Sequence, residues 1–120
     1  MKWELDKKRP LTPQICEQIC VEIACGTMKP GERLPSVRNL AMEAGVNPNT
    51  VQRCFEMLDE QGILRSVRGS GWFVSEDISS CKTVLDGLIR EKTADYFAAM
   101  QALGLRPDEI KEYVKEWNHE

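Results

Sequence analysis

Residues 36–62 read Ser36-Val37-Arg38-Asn39-Leu40-Ala41-Met42-Glu43-Ala44-Gly45-Val46-Asn47-Pro48-Asn49-Thr50-Val51-Gln52-Arg53-Cys54-Phe55-Glu56-Met57-Leu58-Asp59-Glu60-Gln61-Gly62, and this stretch decides the fold. Ser36 suits an N-cap, because a hydroxyl can accept from the unpaired N–H groups of a first helical turn. Val37, Leu40, Ala41 and Ala44 then fall on one side of about two turns, and Gly45 ends the run. Asn47 is a second N-cap with Pro48 at the first helical position, and Val51, Phe55 and Leu58 mark the buried stripe of a helix that stops at Gly62. Two helices joined by a tight glycine-containing turn make a helix-turn-helix.

Upstream, Ile15, Ile19 and Ile23 recur every four residues, so a helix with one core face is expected, with Thr12 as its N-cap, Pro13 in its first turn and Gly26 as its stop. Before it, Trp3-Glu4-Leu5 alternates and reads as a short strand or an anchor, cut off by Lys7-Lys8-Arg9-Pro10. Met28-Lys29-Pro30-Gly31-Glu32-Arg33-Leu34-Pro35 is rich in turn formers and reads as a connecting loop. Downstream, Ile63-Leu64-Arg65-Ser66 and Trp72-Phe73-Val74-Ser75 are β-prone runs around the turn Val67-Arg68-Gly69-Ser70-Gly71, which gives a hairpin, or wing.

From about Ser80 a longer helix places Leu85, Leu88, Ile89, Tyr96, Phe97, Met100 and Leu103 near one broad face, until Gly104 stops it. Pro107-Asp108-Glu109 opens a last helix with the charge its dipole favours, and Ile110, Val114 and Trp117 line its apolar side. The expected fold is mainly α with a small β-hairpin: a winged helix-turn-helix over residues 1–75, followed by a two-helix dimerisation tail over residues 76–120.

Composition bounds the function. A chain of 120 residues, 42% hydrophobic and 29% charged, has room for one packed domain and an appendage. It has no apolar run near the ~20 residues of a membrane span, and charges occupy its first ten residues, so a cytoplasmic protein with no membrane partner is expected. Five cysteines without a paired framework read as free thiols of a reducing compartment. The net charge of −3 runs against a polyanionic partner, but its distribution does not: residues 1–75 hold 10 Lys+Arg against 9 Asp+Glu, and residues 76–120 hold 6 against 10.

A helix that reads DNA must present donors and acceptors opposite its core stripe, because base identity is displayed on major-groove edges. With Val51, Phe55 and Leu58 turned inward, the second helix of the motif exposes Asn49, Thr50, Gln52 and Arg53, with Asn47 at its tip. A helix N-terminus also favours a phosphate. Ser36 and Arg38 open the preceding helix, and Arg68, Gly69 and Ser70 lie in the wing turn, where a glycine backbone approaches a groove closely. The plain alternative for each is a cap or a solvated surface group.

In combination these segments resemble the GntR family of bacterial regulators. The likeness runs through Gly26, the stretch from Met28 to Ala41, then Gly45-Val46-Asn47-Pro48-Asn49-Thr50-Val51, Leu58-Asp59-Glu60-Gln61-Gly62 and Arg68-Gly69-Ser70-Gly71-Trp72-Phe73-Val74. It implies DNA contact by Arg38, by Asn47, Asn49, Thr50 and Gln52, and by Arg68 and Gly69. Most of the family carries a C-terminal effector domain of about a hundred residues or more, whereas two helices are expected here. The tail and Asn47-Pro48-Asn49-Thr50 resemble the YtrA subfamily, which implies a dimerising tail and repression by steric exclusion of polymerase. Pro48 and Gln52 depart from other branches, so the base preferences of those branches do not carry over.

The expected partners are therefore a double-stranded DNA operator and a second copy of the chain, held by Leu85, Leu88, Ile89, Phe97, Met100, Leu103, Ile110, Val114 and Trp117. No cofactor or metal is implied and no small-molecule effector is identified. An enzyme is disfavoured because the single histidine, His119, is next to last and no Walker or Rossmann glycine loop precedes a helix. Two other readings stand beside the regulator: a redox or metal sensor built on Cys16, Cys20 and Cys25, or a winged helix that contacts only protein.

Overall fold

The four-residue recurrence of Ile15, Ile19 and Ile23 is realised as helix α1, Leu11–Ala24, with all three side chains fully buried. The structure is a computed structural model that describes residues 2–118. Helix α1 begins earlier than the Thr12 cap predicts. Pro10 occupies the N-cap position with no side-chain cap, and Gln14 donates from Nε2 to the carbonyls of Asp6 (2.9 Å) and Pro10 (2.9 Å), which ties the entering chain to the first turn. Gln14 Oε1 also accepts from the Asp6 N–H, so this side chain anchors the segment before α1, whereas no side chain caps the helix.

The two decisive helices follow the sequence. Helix α2, Val37–Ala44, is capped by Ser36, whose Oγ accepts from the Asn39 N–H at 3.1 Å. It ends at Gly45, which adopts φ 71°, a left-handed conformation that a side chain disfavours. Helix α3, Pro48–Glu60, is capped by Asn47, whose Oδ1 accepts from the Asn49 N–H at 2.8 Å. Val51, Cys54, Phe55 and Leu58 form its buried face, one cysteine more than the expected stripe.

Strands β1, Leu64–Val67, and β2, Gly71–Val74, pair antiparallel with Leu64 opposite Val74 and Val67 opposite Gly71. The proline- and glycine-rich loop before α2 is more than a connection. It lies along the free edge of β2, with the Gly31 N–H donating to Val74 O (2.9 Å), the Val74 N–H to Glu32 O (2.8 Å) and the Leu34 N–H to Trp72 O (2.8 Å), and with Arg33 bridged to Phe73. Met28 and Leu34 are buried at either end of it. An otherwise open edge is thus paired, which a two-stranded hairpin needs for stability.

Trp3-Glu4-Leu5 is an anchor and no strand: Trp3 and Leu5 are half-buried and pack on the core, which gathers α1, α2, α3, the hairpin and Cys81. Helix α4, Ser79–Ala102, and helix α5, Pro107–Glu116, complete the chain. Arg106 precedes α5, and its backbone N–H donates to Glu109 Oε1 at 2.9 Å. The contacts divide the molecule into two compact units that meet within α4, one ending at Leu85 and the other starting at Asp86. No helix among the described residues is long and apolar enough to cross a membrane.

Candidate nucleic-acid interface

The reading face is assembled by the caps. Asn47 sits where the turn from Gly45 enters α3, and its carbonyl also accepts from the Thr50 N–H at 2.9 Å. Neither α2 nor α3 has an acidic residue in its first turn, so the partial positive charge of each N-terminus is left uncompensated locally. Asn47, Asn49, Gln52 and Arg53 are exposed and Thr50 is half-buried. Asn47 can cap with Oδ1 and still offer its amide NH2 group, which has two donors.

Arg38 and Ser36, at the start of α2, are exposed. The Ser36 hydroxyl already accepts from Asn39, so any contact to phosphate would use its proton. In the wing, the Ser70 N–H donates to Val67 O (2.9 Å), closing a turn that leaves Arg68, Gly69 and Ser70 exposed, with Gly69 at φ 82°. Among the described residues no ion pair engages Arg38, Arg53 or Arg68. The arrangement is a set of amide and hydroxyl groups over an open helix end, with three guanidinium groups on the same unit. Such groups suit base edges and phosphates.

Two cations outside the expected set are held by contacts within the fold. Lys7 donates from Nζ to Gly45 O at 2.7 Å, which ties the N-terminal arm to the turn between α2 and α3. Arg65 on β1 lies over the Phe73 ring, 5.5 Å from its centroid. The basic run Lys7-Lys8-Arg9 was visible in the sequence, but nothing in its spacing named Gly45 as its acceptor.

The cysteines do not group as the sequence suggests. Cys16, Cys20 and Cys25 share α1 or its end, yet Cys16 meets Cys54 of α3, with Sγ atoms 2.9 Å apart, and Cys20 lies beside Cys81 of α4. Cys25 is exposed beside Thr27 Oγ1 at 3.3 Å. One face of a helix carries Cys16 and Cys20 toward two different neighbours, which separates them from Cys25. No cluster of three metal-ligating groups occurs among the described residues. His119 lies outside the described residues.

In the tail, Leu85, Leu88, Phe97 and Met100 are half-buried, while Ile89, Leu103, Val114 and Trp117 are exposed. Ile110 is fully buried, so it belongs to the packing of the single chain. Tyr96, Tyr113, Val114 and Trp117 line an apolar hollow of about 270 Å³.

Residues 11–74 match the model of the bacterial regulatory proteins of the gntR family. The chain belongs to the GntR family. It is a DNA-binding transcription regulator of the YtrA type and not an enzyme, with a winged helix-turn-helix and a helical tail. Over 112 residues it is 34% identical to the HTH-type transcriptional regulator YhcF of Bacillus subtilis, covering 93% of each chain. Over 110 residues it is 34% identical to the transcriptional repressor YtrA of the same organism, covering 89% of this chain and 83% of that one. Among solved structures, a GntR family regulator from Listeria monocytogenes superposes with a TM-score of 0.78 at 33% identity, covering 95% of this chain and 100% of that one. The AraR DNA-binding domain in complex with operator ORX1 superposes with a TM-score of 0.54 at 30% identity, covering 62% and 92%.

Proposed function

We propose that this GntR-family protein is a repressor that binds an inverted-repeat operator as a homodimer, residues 1–75 reading DNA and residues 76–120 joining the two copies. The observation that carries this is the open N-terminus of α3, where Asn47, Asn49, Gln52 and Arg53 are exposed with Thr50 partly so, on the same unit as Arg38 and Arg68. Helix α3 enters the major groove, the Arg38 end of α2 holds phosphate, and the wing turn at Arg68, Gly69 and Ser70 reaches the neighbouring backbone. The operator-bound AraR domain supports DNA as the partner, and likeness to the YtrA repressor supports repression.

A lone winged domain reads too few bases for tight selection, whereas two copies on a two-fold axis read both halves of an inverted repeat. The exposed apolar residues of the tail, Ile89, Leu103 and Val114 among them, suit the second copy. The test is binding to the protein's own promoter fragment against a scrambled fragment at several salt concentrations, followed by footprinting. A two-fold footprint and an affinity that falls with salt are expected. Equal affinity for both fragments at every salt would favour the winged helix as a protein-contact module.

A further inference from the structure

Four of the five cysteines fall into two pairs, Cys16 with Cys54 and Cys20 with Cys81. Cys54 and Cys81 are 0% exposed and Cys20 is 4% exposed, whereas Cys16 is half-buried, so of these four Cys16 is the thiol a small molecule reaches. Its Sγ lies 2.9 Å from Cys54 Sγ and 3.9 Å from the Cys54 carbonyl oxygen. A cysteine serving only as a small core hydrophobe needs no sulfur neighbour. Two thiols in contact, carried by different helices and one of them only half-buried, have the layout of an attacking and a resolving cysteine.

We propose that Cys16 and Cys54 form an oxidisable pair that reacts with small hydroperoxides and, by cross-linking α1 to α3, weakens DNA binding. The Cys16 thiolate attacks the peroxide, forming an S–O bond as the O–O bond breaks and hydroxide leaves to be protonated. The Cys54 sulfur then attacks the Cys16 sulfur: the S–S bond forms, the S–O bond breaks, and the departing hydroxyl takes the Cys54 proton as water. Two thiols lose two electrons and one hydrogen peroxide becomes two waters.

Exposure assigns these roles, since Cys16 is half-buried and Cys54 fully buried, and the local electrostatics agree. The hydrogen bond with Cys54 holds the Cys16 thiol below its ordinary value, against the effect of burial. The same bond, together with burial, raises Cys54, which keeps its proton until the second step. Cys20 is pushed up to about 12, mainly by burial, and burial also raises Cys81, so the second pair stays protonated and slow. Cys54 directly follows Arg53 and lies one turn from Thr50, so a bond there draws the reading helix toward α1 in a close-packed core.

The effect on DNA rests on the proposed operator reading, whereas the chemistry does not. The experiment treats the full chain carrying Cys25→Ser with one equivalent of hydrogen peroxide, then maps the peptides by mass and measures promoter affinity before and after. A linked peptide pair containing Cys16 and Cys54, a loss of two titratable thiols, and an affinity at least about fivefold weaker and restored by dithiothreitol are expected. Cys16→Ser in the same background abolishes the link and the affinity change. Intact Cys16 and Cys54 thiols after treatment would overturn the proposal, as would a formed link with unchanged promoter affinity. If the reduced protein does not prefer its promoter, the operator reading fails by itself and the peptide map alone decides the chemistry.

Discussion

The ring of Trp72 meets the ring of Phe55 edge to face, with centroids 5.5 Å apart and planes inclined at 64°. Phe55 is fully buried on α3 and Trp72 is half-buried on β2, so this contact adds to the core packing that holds the hairpin against α3. Such a pair contributes about 0.5–1.5 kcal/mol beyond the apolar area it covers. Trp72→Ala is expected to lower stability by about 2–3 kcal/mol, because it removes both the ring contact and a large part-buried side chain. Trp72→Phe should retain most of it. Urea melts of the two variants check this, and an unchanged midpoint for the alanine variant would show that the wing is held elsewhere.

Arg38 and Arg68 are exposed and make no ion pair among the described residues, so their removal should leave folding almost untouched. Arg38→Ala and Arg68→Ala are each expected to weaken promoter binding by about 1–3 kcal/mol for a base contact. A phosphate contact gives a different signature: binding weakens equally on all sequences and the slope of affinity against salt falls by about 1. Titrations at several salt concentrations tell these apart. Unchanged DNA affinity in both variants, with melting temperature intact, would remove both arginines from the interface.

Asn47 has two jobs that substitution can separate. Its Oδ1 caps α3 through the Asn49 N–H, so Asn47→Ala should cost about 1 kcal/mol of stability and weaken DNA binding together. Asn47→Asp keeps an acceptor at the same place and suits the helix dipole, so stability should hold. The new carboxylate has no donor and repels phosphate, so affinity should fall at least tenfold at low salt and recover partly as salt screens the charge. An aspartate variant that binds as tightly as the parent would leave Asn47 as a cap only.

Both decisive helices could be read from local signals, because Ser36, Gly45, Asn47 and Pro48 act within a few residues of themselves. The same holds for the hairpin and for the exposure of Asn49, Gln52 and Arg53, which follows from the opposite burial of Val51, Phe55 and Leu58. What escaped depends on contacts distant in sequence. Lys7 finds Gly45 O 38 residues away, Cys16 finds Cys54 at the same separation, and the loop carrying Gly31 and Leu34 gains its order from β2. Periodicity shows which face of α1 is buried but not which helix lies against it. The start of α1 differs from the Thr12 cap for a related reason: Gln14 reaches back to hold the chain at Asp6, and the helix opens after Pro10 with no side-chain cap.

The tail gives the last prediction. Ile89 on α4 is 54% exposed and Leu103, just past the end of α4, is 78% exposed, so both are free to be covered by a second copy. Burying an aliphatic side chain is worth about 1.5–3 kcal/mol, and two such residues from each of two copies place four at a shared interface. Ile89→Glu combined with Leu103→Glu removes that gain and sets four carboxylates there, so a loss of at least about 5 kcal/mol of association is expected, enough to turn a nanomolar dimer into a micromolar one or weaker. Light scattering should give twice 13.7 kDa for the parent at micromolar concentration and close to 13.7 kDa for the double variant. The core around Phe55 and Leu40 lies in the other unit, so its melting should survive while binding to a full inverted repeat drops toward that of a half-site. A parent that is monomeric at those concentrations would overturn the dimer, and a double variant that is still a dimer would place the joining surface away from Ile89 and Leu103.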